Sequence, residues 1–179
     1  DVAGLYELLD EVGEHTASRI AKAVLQLRQA ARGRDLDDSP LPSPEATFAA
    51  GCAFYDTFQA MGGEAEVNGG NVASFTDAKA MIDQTIDTYG DLNILINNAG
   101  ILRDRMLFSM TEDDWDSIMS VHLKGTFGPT HHAAVYWRNK AKAGEETYGR
   151  VINTSSPSGI YGNIGQSNYG AAKAGIAAF

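Results

Sequence analysis

The chain has 179 residues, 44% apolar and 21% charged, with 19 Gly, 5 Pro, one Cys and a formal net charge of −9. These proportions exclude collagen-like, disordered and disulfide-scaffold classes and predict one globular domain, while the single Cys52 points to a reducing, cytoplasmic setting with no metal. No apolar run reaches the ~18–20 residues of a membrane helix, and 14 basic against 23 acidic side chains leave no concentrated basic face, so neither membrane nor nucleic acid is an expected partner.

From residue 4 to about 29, Leu5, Leu8, Leu9, Val12, Ile20, Val24 and Leu27 recur at helical spacing, with basic residues late, which predicts an amphipathic helix. Residues 34–44 combine charge with Pro40, Pro42 and Pro44 and read as a linker, so residues 1–44 form an N-terminal helical segment and 45–179 a second region. Ser43 and Pro44 can open a further helix that runs to Gly62 and Gly63. Residues 64–67 form a short strand candidate, and Ser74 caps a helix to Tyr89. A mostly apolar strand over 92–96 ends in Asn97, Asn98, Ala99 and Gly100. Thr111 and the acids after it resemble a capping box that opens a helix toward Trp137; a polar insertion at 140–148, a strand over 150–153 and an Ala-rich helix over 167–179 follow. Short apolar strands alternating with helices predict an α/β fold, a parallel sheet with helices on both faces.

Three segments carry chemistry. In Tyr169-Gly170-Ala171-Ala172-Lys173 the phenol and the ammonium lie four residues apart, hence on one helix face. A fixed cation there favours phenolate and suits tyrosine to move protons near neutrality, although such a pair is also common on solvated helix faces. Asn153 to Gly159 place Ser and Thr hydroxyls at the carboxyl end of a strand, where ligands bind in open α/β sheets; Ser156 could equally belong to a simple polar turn. Asn97, Asn98, Ala99 and Gly100 end the other strand with small residues that admit a ligand to the backbone, or with an ordinary strand-to-helix turn.

In this order and spacing, Asn97-Asn98-Ala99-Gly100, Ser156, Tyr169 and Lys173 resemble the short-chain dehydrogenase/reductase family over residues 62–179. The resemblance implies a Rossmann-like sheet and an NAD- or NADP-dependent oxidoreductase, with NAD favoured, that interconverts a secondary alcohol and a ketone. Tyr169 is then the general acid/base, Lys173 tunes it and binds the nicotinamide ribose, and Ser156 holds the substrate oxygen. Asn71 and Val72 match the pair beside adenine, Asn98, Ala99 and Gly100 line the adenine-side ribose, and Val121 joins the cofactor-binding set. His122 stands where the family has a fourth catalytic residue, an asparagine; an imidazole there can relay protons through water or simply make one buried hydrogen bond. His131 and His132 have no partner at metal-ligand spacing.

The segment from Val121 to Gly125 together with Ser155 to Lys173 resembles the (3R)-hydroxyacyl-CoA dehydrogenase portion of type-2 multifunctional β-oxidation enzymes and their single-domain bacterial relatives. That implies an acyl-CoA substrate and a homo-oligomer; a 3-oxoacyl carrier protein reductase is the alternative. Fifteen of the 19 glycines lie from residue 62 onward, and no strand with a Gly-rich phosphate-binding turn precedes them. The first strand with that turn and the strands after Phe179 are thus expected to be missing from a partial domain. A truncated, non-catalytic homologue serving as an interaction or oligomerisation module is the reading from a different functional class.

Overall fold

The computed structural model describes residues 63–179. The helix expected over 4–29, the linker over 34–44 with the boundary drawn at residue 44, and the helix opened by Ser43 lie outside the described residues. Contacts separate a unit that ends at Gly69 from the unit Gly70–Phe179. In the first, the expected strand over 64–67 shows the alternation of a strand, with Ala65 and Val67 half-buried between exposed Glu64 and Glu66, but it is not part of a sheet. Alternation needs only a one-sided surface, whereas a strand also needs a ladder.

The second unit begins with helix α1 (Phe75–Tyr89). Ser74 is its N-cap, accepting from the Asp77 amide, and Gly90 closes it at φ 80°, a left-handed conformation that glycine adopts without steric cost. Strand β1 (Ile94–Asn97) follows, then a 3₁₀ turn (Leu107–Ser109) and helix α2 (Glu112–Ile118). The expected capping box is formed: Thr111 accepts from the Asp114 amide while the Asp114 carboxylate accepts from the Thr111 amide and hydroxyl, which lowers the Asp114 pKa. The helical path continues through a π-helical turn (Met119–Lys124) into α3 (Gly125–Lys142), where the uninterrupted α-helix of the sequence reading is interrupted. Helix α3 also reaches three residues into the stretch expected to be a polar insertion. Strand β2 (Arg150–Asn153), a short helix α4 (Pro157–Tyr161) and helix α5 (Ser167–Ala178) complete the unit.

The two strands pair in parallel, Ile94 with Arg150 through Asn97 with Asn153, so both carboxyl ends point the same way. A parallel pair cannot be closed by a tight hairpin, and the α2–α3 segment makes the crossover. Among the described residues this is a small parallel sheet flanked by helices, a partial Rossmann-like α/β fold. Its core joins Ile82 of α1, Leu92 and Ala133 of α3, with Ile86, Leu95, Tyr136 and Trp137 packed around them. Gly149 leaves room for the Trp137 ring, since a Cβ there would lie 2.6 Å from it.

At the amino end of β1 the Asp91 carboxylate accepts from Lys140 Nζ at 2.8 Å and from the Tyr136 hydroxyl at 2.8 Å, while Trp137 Nε1 donates to the Leu92 carbonyl at 2.6 Å. The Lys140 bond, then those from Tyr136 and the Leu92 amide, hold Asp91 at about 2 against an ordinary 3.8. A carboxylate with a depressed folded-state pKa contributes stability above its unfolded value and loses it as the pH falls through the folded one. Asp91→Asn is therefore expected to lower Tm at about pH 7. The gap to the parent should narrow progressively from about pH 4 towards pH 2, as followed by circular dichroism melts across that range.

Candidate active site

The helix α5 sequence is rich in alanine and lets its amino-terminal half pack closely. Gly170 approaches the Ser158 carbonyl, where a Cβ would sit 2.9 Å from the oxygen, and Gly159 of α4 lies against the backbone of Lys173 and Ala174. That second contact leaves 2.6 Å between a Cβ at 159 and the Ala174 nitrogen, so only glycine fits. Ser156, which the sequence left open to a simple polar turn, instead caps a short helix seated on α5, its Oγ accepting from the Ser158 amide.

Lys173, 4% exposed, lies between these elements. Its Nζ donates to the Thr154 carbonyl at the end of β2, and the Ser155 hydroxyl donates to the Lys173 carbonyl at 2.8 Å. The ammonium stands 5.6 Å from the Tyr169 ring centre, on the shared face that the four-residue spacing requires. Burial lowers the Lys173 pKa.

His122 sits in the π-helical turn and is 2% exposed. Single π turns inside α-helices are frequent at functional sites because they re-aim side chains. Here the ring meets Tyr169 edge-on, with centroids 5.1 Å apart. Its Nε2 lies 2.7 Å from the Ile101 carbonyl oxygen and 3.1 Å from the Ile101 amide. One ring nitrogen cannot donate and accept at once, and the shorter contact assigns the proton to Nε2. Nδ1 is then a buried lone pair without a partner among the described residues. Burial, reinforced by the Lys173 charge and only partly opposed by the Ile101 contact, lowers the His122 pKa and keeps the imidazole neutral.

The carboxyl ends of the strands are tied by side chains. Asn97 Nδ2 donates to Asn153 Oδ1 and Thr130 Oγ1, each at 2.9 Å, and Thr154 Oγ1 donates to Asn98 Oδ1 at 2.9 Å. Beyond them Asn98, Ala99 and Gly100 are exposed. Val72, Asn98 and Ala99 share the wall of a cavity of about 230 Å³ between α1, β1 and α3. Val72 also packs on Gly125, where a Cβ would come within 2.9 Å of its methyl group. Asn71 plays a different local part: its Oδ1 accepts from the Ala73 amide and its own amide donates to Asp77, so it shapes the entry of α1.

The structure thus brings Tyr169, Lys173, His122 and Gly100 together, fastens the Ser156 segment to Lys173, and groups Val72, Asn98 and Ala99 at one cavity. Val121 lies in the same π turn as His122, and Asn71 is not among the cavity-lining residues. Sequence reasoning missed Ser155 and Gly159, which lock strand end to helix. The signal available for the second was the Ser156-Pro157 pair, a capping residue followed by a proline suited to the first helical position.

Residues 48–179 match the family model described as short chain dehydrogenase. The chain belongs to the short-chain dehydrogenase/reductase family. It is 46% identical over 119 residues to the hydroxyacyl-CoA dehydrogenase ChsB1 of Mycobacterium tuberculosis, covering 65% of this chain and 37% of that protein. It is 46% identical over 121 residues to the peroxisomal multifunctional enzyme type 2 of Drosophila melanogaster, covering 68% of this chain and 19% of the relative. With the 3-oxoacyl-[acyl-carrier-protein] reductase FabG of Thermotoga maritima it shares 41% identity over 106 residues, 59% of this chain and 41% of the reductase. Among solved structures, a short chain dehydrogenase from Mycobacterium avium superposes with a TM-score of 0.71 at 49% identity, covering 72% of this chain and 45% of that one. The chain therefore spans less than half the length of each of these relatives. Members of the family are generally NAD(P)-dependent oxidoreductases. Among the described residues no helix is long and apolar enough to cross a membrane.

Gly100 gives the site a direct mechanical test. A Cβ at position 100 would stand 2.6 Å from His122 Cε1, and the ring is both buried and pinned at Ile101. Gly100→Ala is expected to cost about 1–3 kcal/mol of stability in denaturant unfolding, the usual scale of overpacking. In a His122→Ala background the same change should cost less than about half as much, because the clashing ring is gone.

Proposed function

We propose that this site serves an oxidoreductase that interconverts a secondary alcohol and a ketone, acting on 3-hydroxyacyl-CoA with NAD as cofactor. The observation that carries the reading is the shared face of Tyr169 and a buried Lys173, with the neutral His122 ring against Tyr169. The hydroxyacyl substrate is carried over from the resemblance to the hydroxyacyl-CoA dehydrogenase ChsB1, and NAD from the family resemblance read in the sequence.

The residues present fit a nicotinamide dinucleotide. The exposed Asn98-Ala99-Gly100 segment at the end of β1 lets a ligand reach the backbone, and the Val72, Asn98 and Ala99 wall supplies a partly apolar recess for the adenine side. Lys173 presents an ammonium that can donate to a ribose hydroxyl as well as to Thr154. When bound, the nicotinamide supplies the hydride acceptor for the alcohol carbon and the hydride donor in reverse.

The chain's own residues handle the proton. In the oxidation, Tyr169 Oη takes the hydroxyl proton as the alcohol carbon loses hydride; in the reduction it returns that proton to the carbonyl oxygen. Lys173 stabilises the negative charge on Tyr169 Oη while the proton is away, an effect strengthened by its burial. Ser156 Oγ accepts the Ser158 amide and keeps its own hydrogen to donate to the substrate oxygen. The neutral His122 adds no second cation beside Lys173.

The 41% identity to a 3-oxoacyl carrier protein reductase supports a second reading, with the acyl group carried on a protein thiol rather than on coenzyme A. The purified chain should melt at higher temperature with millimolar NAD and reduce NAD with a (3R)-hydroxyacyl-CoA, monitored at the nicotinamide absorbance. Tyr169→Phe is expected to lower kcat/KM about 10²–10⁴-fold while leaving cofactor affinity within about twofold. Turnover confined to the carrier-protein thioester would favour the second reading. No stabilisation by either NAD or NADP would overturn the enzyme reading for this chain and favour a non-catalytic interaction module.

A further inference from the structure

Helix α5 carries a polar side chain with no solvent exposure: Asn168, immediately before Tyr169. Burying a carboxamide is costly unless its hydrogen-bonding capacity is used, and here it is. Its Oδ1 accepts from the Tyr169 amide at 2.8 Å, satisfying one of the donors that the first turn of a helix leaves without an intrahelical partner. Its Nδ2 spends both hydrogens, one on the Arg103 carbonyl at 3.0 Å and one on the Asp114 carbonyl at 3.0 Å. These three partners belong to three different pieces of chain: the first turn of α5, the segment that follows Gly100, and helix α2, which leads into the π turn.

We propose, on the reading of Tyr169 given above, that Asn168 is a positioning residue that fixes the Tyr169 ring against His122 and against the loop leaving β1. Two neighbouring bonds define the unit. His122 holds Ile101 and Asn168 holds Arg103, so the loop after Gly100 is fastened at both points to the elements that carry the edge-on ring pair. An alanine at 168 takes the side-chain partner from two carbonyls and one amide, the Asp114 carbonyl in a buried contact and the other two in part-buried ones. An aspartate keeps the acceptor for the Tyr169 amide but turns a carboxylate oxygen toward two carbonyl oxygens, so the two variants separate the cap from the clamp. A serine retains one hydroxyl and is the milder replacement.

The test reads the ring pair by NMR, independently of turnover. The chain has four histidines, and the His122 ring protons lie in the field of the Tyr169 ring, so their shifts report its position. The Tyr169→Ala shift defines the undocked value. In Asn168→Ala, and in Asn168→Ser should the alanine variant not fold, the His122 shifts should move at least about halfway to that value while those of His131 and His132 stay in place. Turnover with the hydroxyacyl substrate should fall at least about tenfold with KM for NAD within about twofold, whereas general destabilisation would move all the histidine signals or lower Tm alone. A folded Asn168 variant with unchanged His122 shifts overturns the proposal. Absence of turnover in the parent chain would overturn the functional reading instead, leaving the NMR outcome to decide the positioning role.

Discussion

The arrangement rests on a two-way clasp between the end of β2 and the middle of α5. The Lys173 side chain donates to the Thr154 backbone, and the Ser155 side chain donates to the Lys173 backbone. Each bond alone fixes a distance; together, with Gly159 closed onto the same peptide, they fix the register of α5 along the strand end. A lysine so buried would ordinarily be a liability, since desolvation penalises the charged form and, among the described residues, no carboxylate is bonded to it. The fold accepts that penalty where the ammonium faces the Tyr169 ring, which is what the role proposed for Lys173 requires.

The parallel pairing supplies the platform for the clasp. Because β1 and β2 run the same way, the Asn97–Asn153 bond places two loops side by side: one bearing Asn98, Ala99 and Gly100, the other bearing Ser155 and Ser156. The crossover joining the strands returns through the π turn, which sets His122 against Gly100 and Ile101 of the first loop and against the Tyr169 ring of α5. Gly100 and His122 are consequently one steric unit, and the absence of a side chain at position 100 is what admits an imidazole there. Charge follows from the same packing: the burial that lowers the Lys173 pKa also keeps His122 neutral, and Lys173 reinforces it.

Much of this was legible in the sequence wherever a local rule decides the outcome. Ser74 and the Thr111–Asp114 box open helices by their own hydrogen bonds, and the strand over 150–153 was read where it lies. The sequence also showed Tyr169 and Lys173 on one face, because helical spacing alone dictates it. What escaped depends on contacts distant in the chain. The π turn leaves the apolar spacing from Trp115 to Phe127 nearly unchanged, so periodicity does not reveal it. Asn168 looks like any polar residue on a helix until Arg103 and Asp114 close over it. The strand candidate at 64–67 failed for the complementary reason: alternation was present, but a ladder is a property of two segments and not of one.

The central claim is that Lys173 is a buried cation held beside Tyr169, and its titration tests this most directly. Side-chain NMR of the lysines across alkaline pH, with Lys173→Met to assign the signal, should show Lys173 losing its proton below the ordinary value of 10.5. Lys140, whose hydrogen bond to Asp91 raises its pKa, should titrate above that value in the same sample. A Lys173 signal that titrates at 10.5 or higher, like an exposed or carboxylate-paired lysine, would contradict the account.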